Sequence, residues 1–295
     1  QRFYALGGCP TASRRCAWLR TGRIPGRMTE QLAPQNDVPL AVVTGASTGI
    51  GRALARQFAD HGFDVIVVAD EARIHEAAVE LEGSEHRVIP VQADLTTADG
   101  VQDVWNAVMS TGRTPYAAAL NAGIGANGRF DQTSLEGDLA VVDLNVRSTV
   151  HLAKLFTRAM VAAGEGRLLI TSSIAAVAPG PYHATYAASK AFVHSFAEGI
   201  RVELKGTGVT VTSLMPGPTE TEFFSRADME NTQIGQMEDK DDARDVARDG
   251  YEALMAGKSS VVAGSFKNRL QAELGTHLPD ALAAPILARM TKPQD

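Results

Sequence analysis

The 295 residues carry 44% hydrophobic and 21% charged side chains, with a formal net charge of -6 and a pI near 5.7. This is ample for the core of one large α/β domain, and an acidic balance without a sustained basic stripe argues against nucleic-acid binding. No apolar run approaches the ~20 residues that span a bilayer, so no integral membrane association is expected.

Residues 1–37 hold six arginines between Arg2 and Arg27 and show no sustained periodicity, so they are expected to be disordered or extraneous. A transit peptide and sequence upstream of a start at Met28 both fit. Cys9 and Cys16 lie in this stretch, which leaves the body of the chain without a thiol, and no metal site is expected because no partner His or Cys has ligand spacing.

From Val38 the pattern changes. "VPLAVVTG" reads as a buried strand, "IGRALARQFADHG" as a helix stopped by glycine, and "FDVIVVAD" as a second strand, which together make a βαβ unit. The alternation continues through "RVIPVQADL", a helix near Val101–Met109, "YAAALNAGI", a long helix over about 138–163 and "RLLITSSI". A helix over about 185–205 follows, then "GVTVTSLMPG" and "SSVVAGS". Continuous apolar strands separated by helices predict an α/β fold: a doubly wound parallel sheet with helices on both faces, in a single domain spanning about 38–267. Residues 218–245 are polar and follow a strand end, the position of a substrate lid. Residues 268–295 are expected to form a helical extension, with Leu270, Leu274, Leu278 and Leu282 as an apolar stripe.

The first strand opens onto "TGASTGIG". A turn this tight wants residues without a β-carbon at Gly45, Gly49 and Gly51, to admit positive φ and let the backbone approach a pyrophosphate at the start of the following helix. Asp70 ends the second strand, 25 residues after Gly45. A carboxylate there can accept from both adenosine ribose hydroxyls and repels the extra phosphate of NADP, so NAD is the expected cofactor and NADP the lesser candidate. Asp94 can accept from the adenine amino group or simply shape its turn.

In "HATYAASKA", Tyr186 and Lys190 share one helix face. A fixed ammonium favours a nearby phenolate and is expected to lower the tyrosine pKa from ~10, making a tunable acid/base. Ser173, 13 residues before Tyr186 at a strand end, can polarise the same carbonyl oxygen. Asn145 could hold a water that passes protons on from Lys190.

These pieces, with "NAG" at 121–123 and "PGPTET" from Pro216 to Thr221, resemble the short-chain dehydrogenase/reductase family over about residues 38–265. The resemblance implies a Rossmann-type fold, with Tyr186 as general acid/base, Lys190 lowering its pKa and holding the nicotinamide ribose, Ser173 orienting substrate and Asn145 supporting a proton relay. Pro216, Gly217 and Thr219 would hold the carboxamide end of the nicotinamide. Ser47, Thr48, Ile50, Leu95, Asn121, Ala122 and Gly123 complete the expected cofactor set. One departure is Leu120 before Asn121, where the family frequently has a second asparagine, so the sheet-stabilising contact credited to that residue must come from elsewhere.

The expectation is therefore an NAD-preferring oxidoreductase acting on a small-molecule carbonyl or alcohol, located in the cytoplasm. The family implies a homo-oligomer, a tetramer or a dimer. A non-catalytic dinucleotide sensor on the same fold is the alternative, and the complete set Asn145, Ser173, Tyr186 and Lys190 argues against it.

Overall fold

The computed structural model describes residues 38–84, 86–265 and 279–294. The expectations for residues 1–37 and for Leu270, Leu274 and Leu278 fall outside them.

The apolar runs form β1 (Leu40–Thr44), β2 (Asp64–Ala69), β3 (Val88–Gln92), β4 (Ala117–Leu120), β5 (Gly166–Thr171) and β6 (Val209–Pro216). With β9 (Ser260–Ala263) they make a seven-stranded parallel sheet in the order β3-β2-β1-β4-β5-β6-β9. The short strands β7 (Thr219–Glu220) and β8 (Asp241–Asp242) pair separately with each other.

Because side chains alternate across a strand, each run feeds two layers. Val43, Val65 and Val67 face α1 (Gly49–Asp60), α2 (Arg73–Leu81) and α8 (Ala243–Met255), where Leu54, Phe58, Ile74 and Leu254 are buried. On the other face, Val42, Ile66 and Leu168 pack with α3 (Ala98–Ser110), α5 (Thr149–Ala163) and α6 (Ala184–Glu203) through Val104, Phe156 and Val193. Covering both faces is what makes unbroken aliphatic strands stable, each fully buried Leu or Phe contributing about 1.5–3 kcal/mol. This is the expected doubly wound, Rossmann-type single domain. The strand order reverses between β1 and β4, so a crevice opens beyond their carboxyl ends.

The long helix expected over 138–163 is not continuous. α4 (Leu135–Val142) starts earlier, capped by the Ser134 hydroxyl, which accepts from the Gly137 N–H at 3.0 Å. It then widens into a π turn over Asp143–Ser148 before α5 resumes. The cause is a non-local bond: Asn145 is held by the chain after β4, at Ile124. The periodic runs also did not single out α2 and α8.

Beyond β6, the segment from Pro218 carries α7 (Phe223–Arg226) and returns at β8, so α8 begins within the stretch expected to be lid. The last helix, α9 (Asp280–Thr291), is fastened at its end: Asn127 Nδ2 donates to the Thr291 carbonyl at 3.0 Å, Thr291 Oγ1 donates to the Pro181 carbonyl at 2.7 Å, and the Ile234 N–H donates to the Met290 carbonyl at 3.0 Å. Among the described residues, no helix is long and apolar enough to cross a membrane.

Candidate active site

One cleft of about 730 Å³ runs along the carboxyl edge of the sheet from Asp70 to α9. At its first end, Gly45 turns the chain with φ +65°, and a β-carbon there would come within 2.9 Å of the Ala122 Cα. Gly51 lies beneath the turn, where a β-carbon would meet the Gly45 carbonyl oxygen at 1.9 Å. Only glycine lets α1 start so close to β1. Gly45, Ser47, Thr48, Gly49 and Ile50 line the cleft, together with Asp70, Asp94, Leu95, Asn121, Ala122 and Gly123. Gly51 does not; its role is to let the turn close.

Asp70 is exposed at the end of β2. Asp94 shapes its own turn, with Oδ1 accepting from the Thr96 N–H at 2.9 Å and hydroxyl at 2.7 Å. Asn121 answers the question raised by Leu120. Its Nδ2 donates to the Thr44 carbonyl at 3.3 Å and its Oδ1 accepts from the Thr171 hydroxyl at 3.1 Å, so one residue stitches β1, β4 and β5 together. The Thr44 hydroxyl also accepts from the Asn121 and Ala122 N–H groups, each at 3.0 Å.

Ser173, Tyr186 and Lys190 line the cleft, as do Pro216, Gly217 and Thr219. Ser173 follows the end of β5 and caps a 3-10 turn over Ile174–Val177, its hydroxyl accepting from the Ala175 N–H at 3.1 Å. It also hydrogen-bonds the Tyr186 phenol. Lys190 is buried, donates from Nζ to the Thr171 carbonyl at 3.0 Å, and lies 5.7 Å from the Tyr186 ring centre.

The electrostatics depart from the sequence expectation. Burial pushes the Tyr186 phenol up to about 12, and the Ser173 hydrogen bond pulls it only part of the way back. Burial pushes Lys190 down to about 8. Desolvation disfavours each charged form and is the largest influence on both groups, so the phenol is raised rather than lowered.

Asn145 is also placed differently from expectation. It stands outside the cleft wall, buried, with Oδ1 accepting from the Ile124 N–H at 2.9 Å and Nδ2 donating to the Ile124 carbonyl and the Ser189 hydroxyl, each at 2.9 Å.

Two arrangements at the cleft were not expected from the sequence. Glu71, the residue after Asp70, belongs to an ion-pair cluster: Arg73 donates to Glu222 at 2.6 Å, and Arg226 bridges Glu222 at 2.6 Å and Glu71 at 3.1 Å. Glu71 also accepts from the Ser47 hydroxyl at 2.6 Å, and its pKa is lowered by that bond. The far end is walled by α9 through Ala283, Ile286, Leu287 and Met290. Their i, i+3, i+4, i+7 spacing was a readable signal of a helix face.

A doubly wound sheet with a glycine turn at its crevice is an architecture of dinucleotide-binding proteins. A family model described as short chain dehydrogenase matches residues 39–232. The chain belongs to the short-chain dehydrogenase/reductase family, whose named members include reductases and alcohol dehydrogenases. It is 34% identical over 190 residues to sulfoacetaldehyde reductase 2 of Chromohalobacter salexigens, covering 62% of this chain and 74% of that protein. A short-chain dehydrogenase from Sphingobium yanoikuyae in complex with NADPH superposes with a TM-score of 0.71 at 25% identity, over 88% of this chain and 97% of that one. The 3-ketoacyl-(acyl-carrier-protein) reductase of Brucella melitensis, complexed with NADH, matches in fold with a TM-score of 0.66 at 24% identity, over 77% and 97% of the two chains.

Proposed function

We propose that this protein moves hydride between a nicotinamide dinucleotide, preferably NAD, and a carbonyl or secondary alcohol, with Tyr186 as the group that gives or takes the proton. The carrying observation is that Ser173, Tyr186 and Lys190 line the same cleft as the glycine turn.

The residues fit the dinucleotide. Gly45 and Gly51 leave a bare backbone cradle where side chains would clash, and α1 presents its N-terminal N–H groups beside it. When bound, the dinucleotide supplies or accepts the hydride. Among the described residues Lys190 Nζ donates to the Thr171 carbonyl, which leaves donor capacity for a ribose hydroxyl. Asp70 favours free ribose hydroxyls over a phosphate. Arg73 and Arg226 are already paired with Glu222 and Glu71, which further disfavours NADP.

A phenol with its pKa near 12 keeps its proton at neutral pH, so Tyr186 is set to donate to a carbonyl oxygen that Ser173 also orients. Asn145 acts by fixing the Ile124 backbone and the Ser189 hydroxyl beneath Lys190. The segment from Pro218 to Asp242 serves as lid, with Phe223 packed 5.1 Å from the Tyr186 ring. The homo-oligomer is supported by apolar side chains left exposed on α4 and α6, among them Leu139, Val142 and Phe192.

The substrate named for the Chromohalobacter relative is an anion. The cations among the described cleft-lining residues are Lys190 and Arg226, and Arg226 is tied to two carboxylates, so this reading does not extend to that substrate. Oxidation of NADH against a panel of ketones and aldehydes tests the proposal. Measurable NADH binding with no turnover of any of them would establish the sensor reading instead.

A further inference from the structure

The half of the cleft beyond Tyr186 differs in character from the nucleotide half. Its walls come from three separate parts of the chain: the turn around Val177, the segment after β7 with Met229 and Ile234, and the α9 face carrying Leu287 and Met290. Phe223 and Ile234 pack against a small apolar cluster of Phe224, Ala227 and Met229 that forms the floor under this region. The wall is held in place by backbone, since the Ile234 N–H bonds the Met290 carbonyl and Thr291 bonds both Pro181 and Asn127.

Among the described residues lining this half, no free charge faces it. Asp70 and Asp94 belong to the ends of β2 and β3, Lys190 is turned to the Thr171 carbonyl, and Glu222 and Arg226 are paired with each other. His183 also lines the cleft and is nine-tenths buried, with an Nδ1 that has no hydrogen-bond partner among the described residues. It is uncharged at neutral pH, because burial lowers its pKa to about 4. A wall of this kind gains free energy by desolvating hydrocarbon and loses it by desolvating an ion that has no partner.

We propose that the substrate is a bulky, uncharged ketone or its secondary alcohol, an alicyclic or aryl framework whose apolar body lies between the segment carrying Met229 and Ile234 and the α9 face at Leu287 and Met290. This rests on the oxidoreductase reading above and names the substrate class for that site. The carbonyl is the single polar group such a molecule needs, and it meets Ser173 and Tyr186. Each methylene buried against the wall is worth about fourfold in specificity, and a large apolar framework accumulates several.

The test is kcat/KM for three carbonyl compounds, 2-decalone, acetone and sulfoacetaldehyde, with NADH and in parallel with NADPH, on the full chain and on Leu287→Asp. The expected result is that 2-decalone exceeds acetone by about a hundredfold or more and sulfoacetaldehyde by at least as much. Leu287→Asp should then lose about tenfold or more on 2-decalone while acetone turnover and NADH affinity stay within about twofold, a pattern that misfolding would not produce. Turnover that favours acetone or sulfoacetaldehyde would overturn the substrate class and leave the oxidoreductase reading standing, as would equal losses on 2-decalone and acetone in a variant with normal NADH affinity. Dinucleotide binding without turnover of any of the three would overturn both.

Discussion

Asn145 holds Ile124 by both of that residue's backbone polar groups: the side-chain Oδ1 accepts from the Ile124 N–H and Nδ2 donates to the Ile124 carbonyl, both at 2.9 Å. The π turn over Asp143–Ser148 and the chain leaving β4 are thereby locked together, directly under Gly123 and Lys190. Asn145→Ala leaves these buried groups unpaired, at a cost of about 2–3 kcal/mol, which for a chain of this size lowers Tm by roughly 4–6 °C. Differential scanning calorimetry measures the shift, and turnover measured well below the new Tm should still fall about tenfold because Lys190 loses its support.

Gly45 is the residue on which the dinucleotide turn depends. With φ at +65° and Ala122 Cα 2.9 Å from any added β-carbon, Gly45→Ala meets both a left-handed backbone penalty of ~1–2 kcal/mol and a main-chain clash. A rise in Kd for NADH of about tenfold or more, read by fluorescence titration, is the expected outcome. Unchanged affinity would mean that the cofactor does not lie against this turn.

Asp70 sets the preference at the ribose. Removing a carboxylate from an exposed rim relieves repulsion of a 2′-phosphate and removes an acceptor for hydroxyls, so Asp70→Ala should lower the NAD over NADP ratio of kcat/KM by about ten- to a hundredfold. A ratio unmoved by the substitution contradicts the NAD assignment.

His183 makes the fold acid-sensitive. Its pKa is lowered by burial from 6.5 to about 4. As pH falls below 6.5 the unfolded chain takes the proton first, so stability present above that pH is lost progressively down to about 4, by up to about 3 kcal/mol. Urea titrations at pH 7 and pH 4 on the native chain and on His183→Gln measure this. The native chain should lose more stability across the interval than the variant, by about that amount.

The βαβ start, the sheet and the Tyr186 helix were legible in the sequence because each rests on local pattern: an unbroken aliphatic strand, a glycine with positive φ, two reactive side chains at i and i+4. What escaped was non-local. The π turn depends on Asn145 reaching Ile124, and the ion-pair cluster joins Arg73 to Glu222 across 149 residues of chain. The tyrosine pKa was misjudged for a similar reason, since the sequence shows which charge is near but not how much water both groups lose. The α9 wall stood between these cases: the spacing of Ala283, Ile286, Leu287 and Met290 was visible, while the cleft it closes was not.

The central claim is that the Tyr186 phenol transfers the proton, and the kinetics of Tyr186→Phe test it most directly. The substitution removes one oxygen from a ring packed against Phe223, so NADH affinity should remain within about threefold while kcat falls by roughly 10²–10⁴ with a ketone the native protein reduces. A variant that binds NADH normally and turns that ketone over at the native rate would contradict the account.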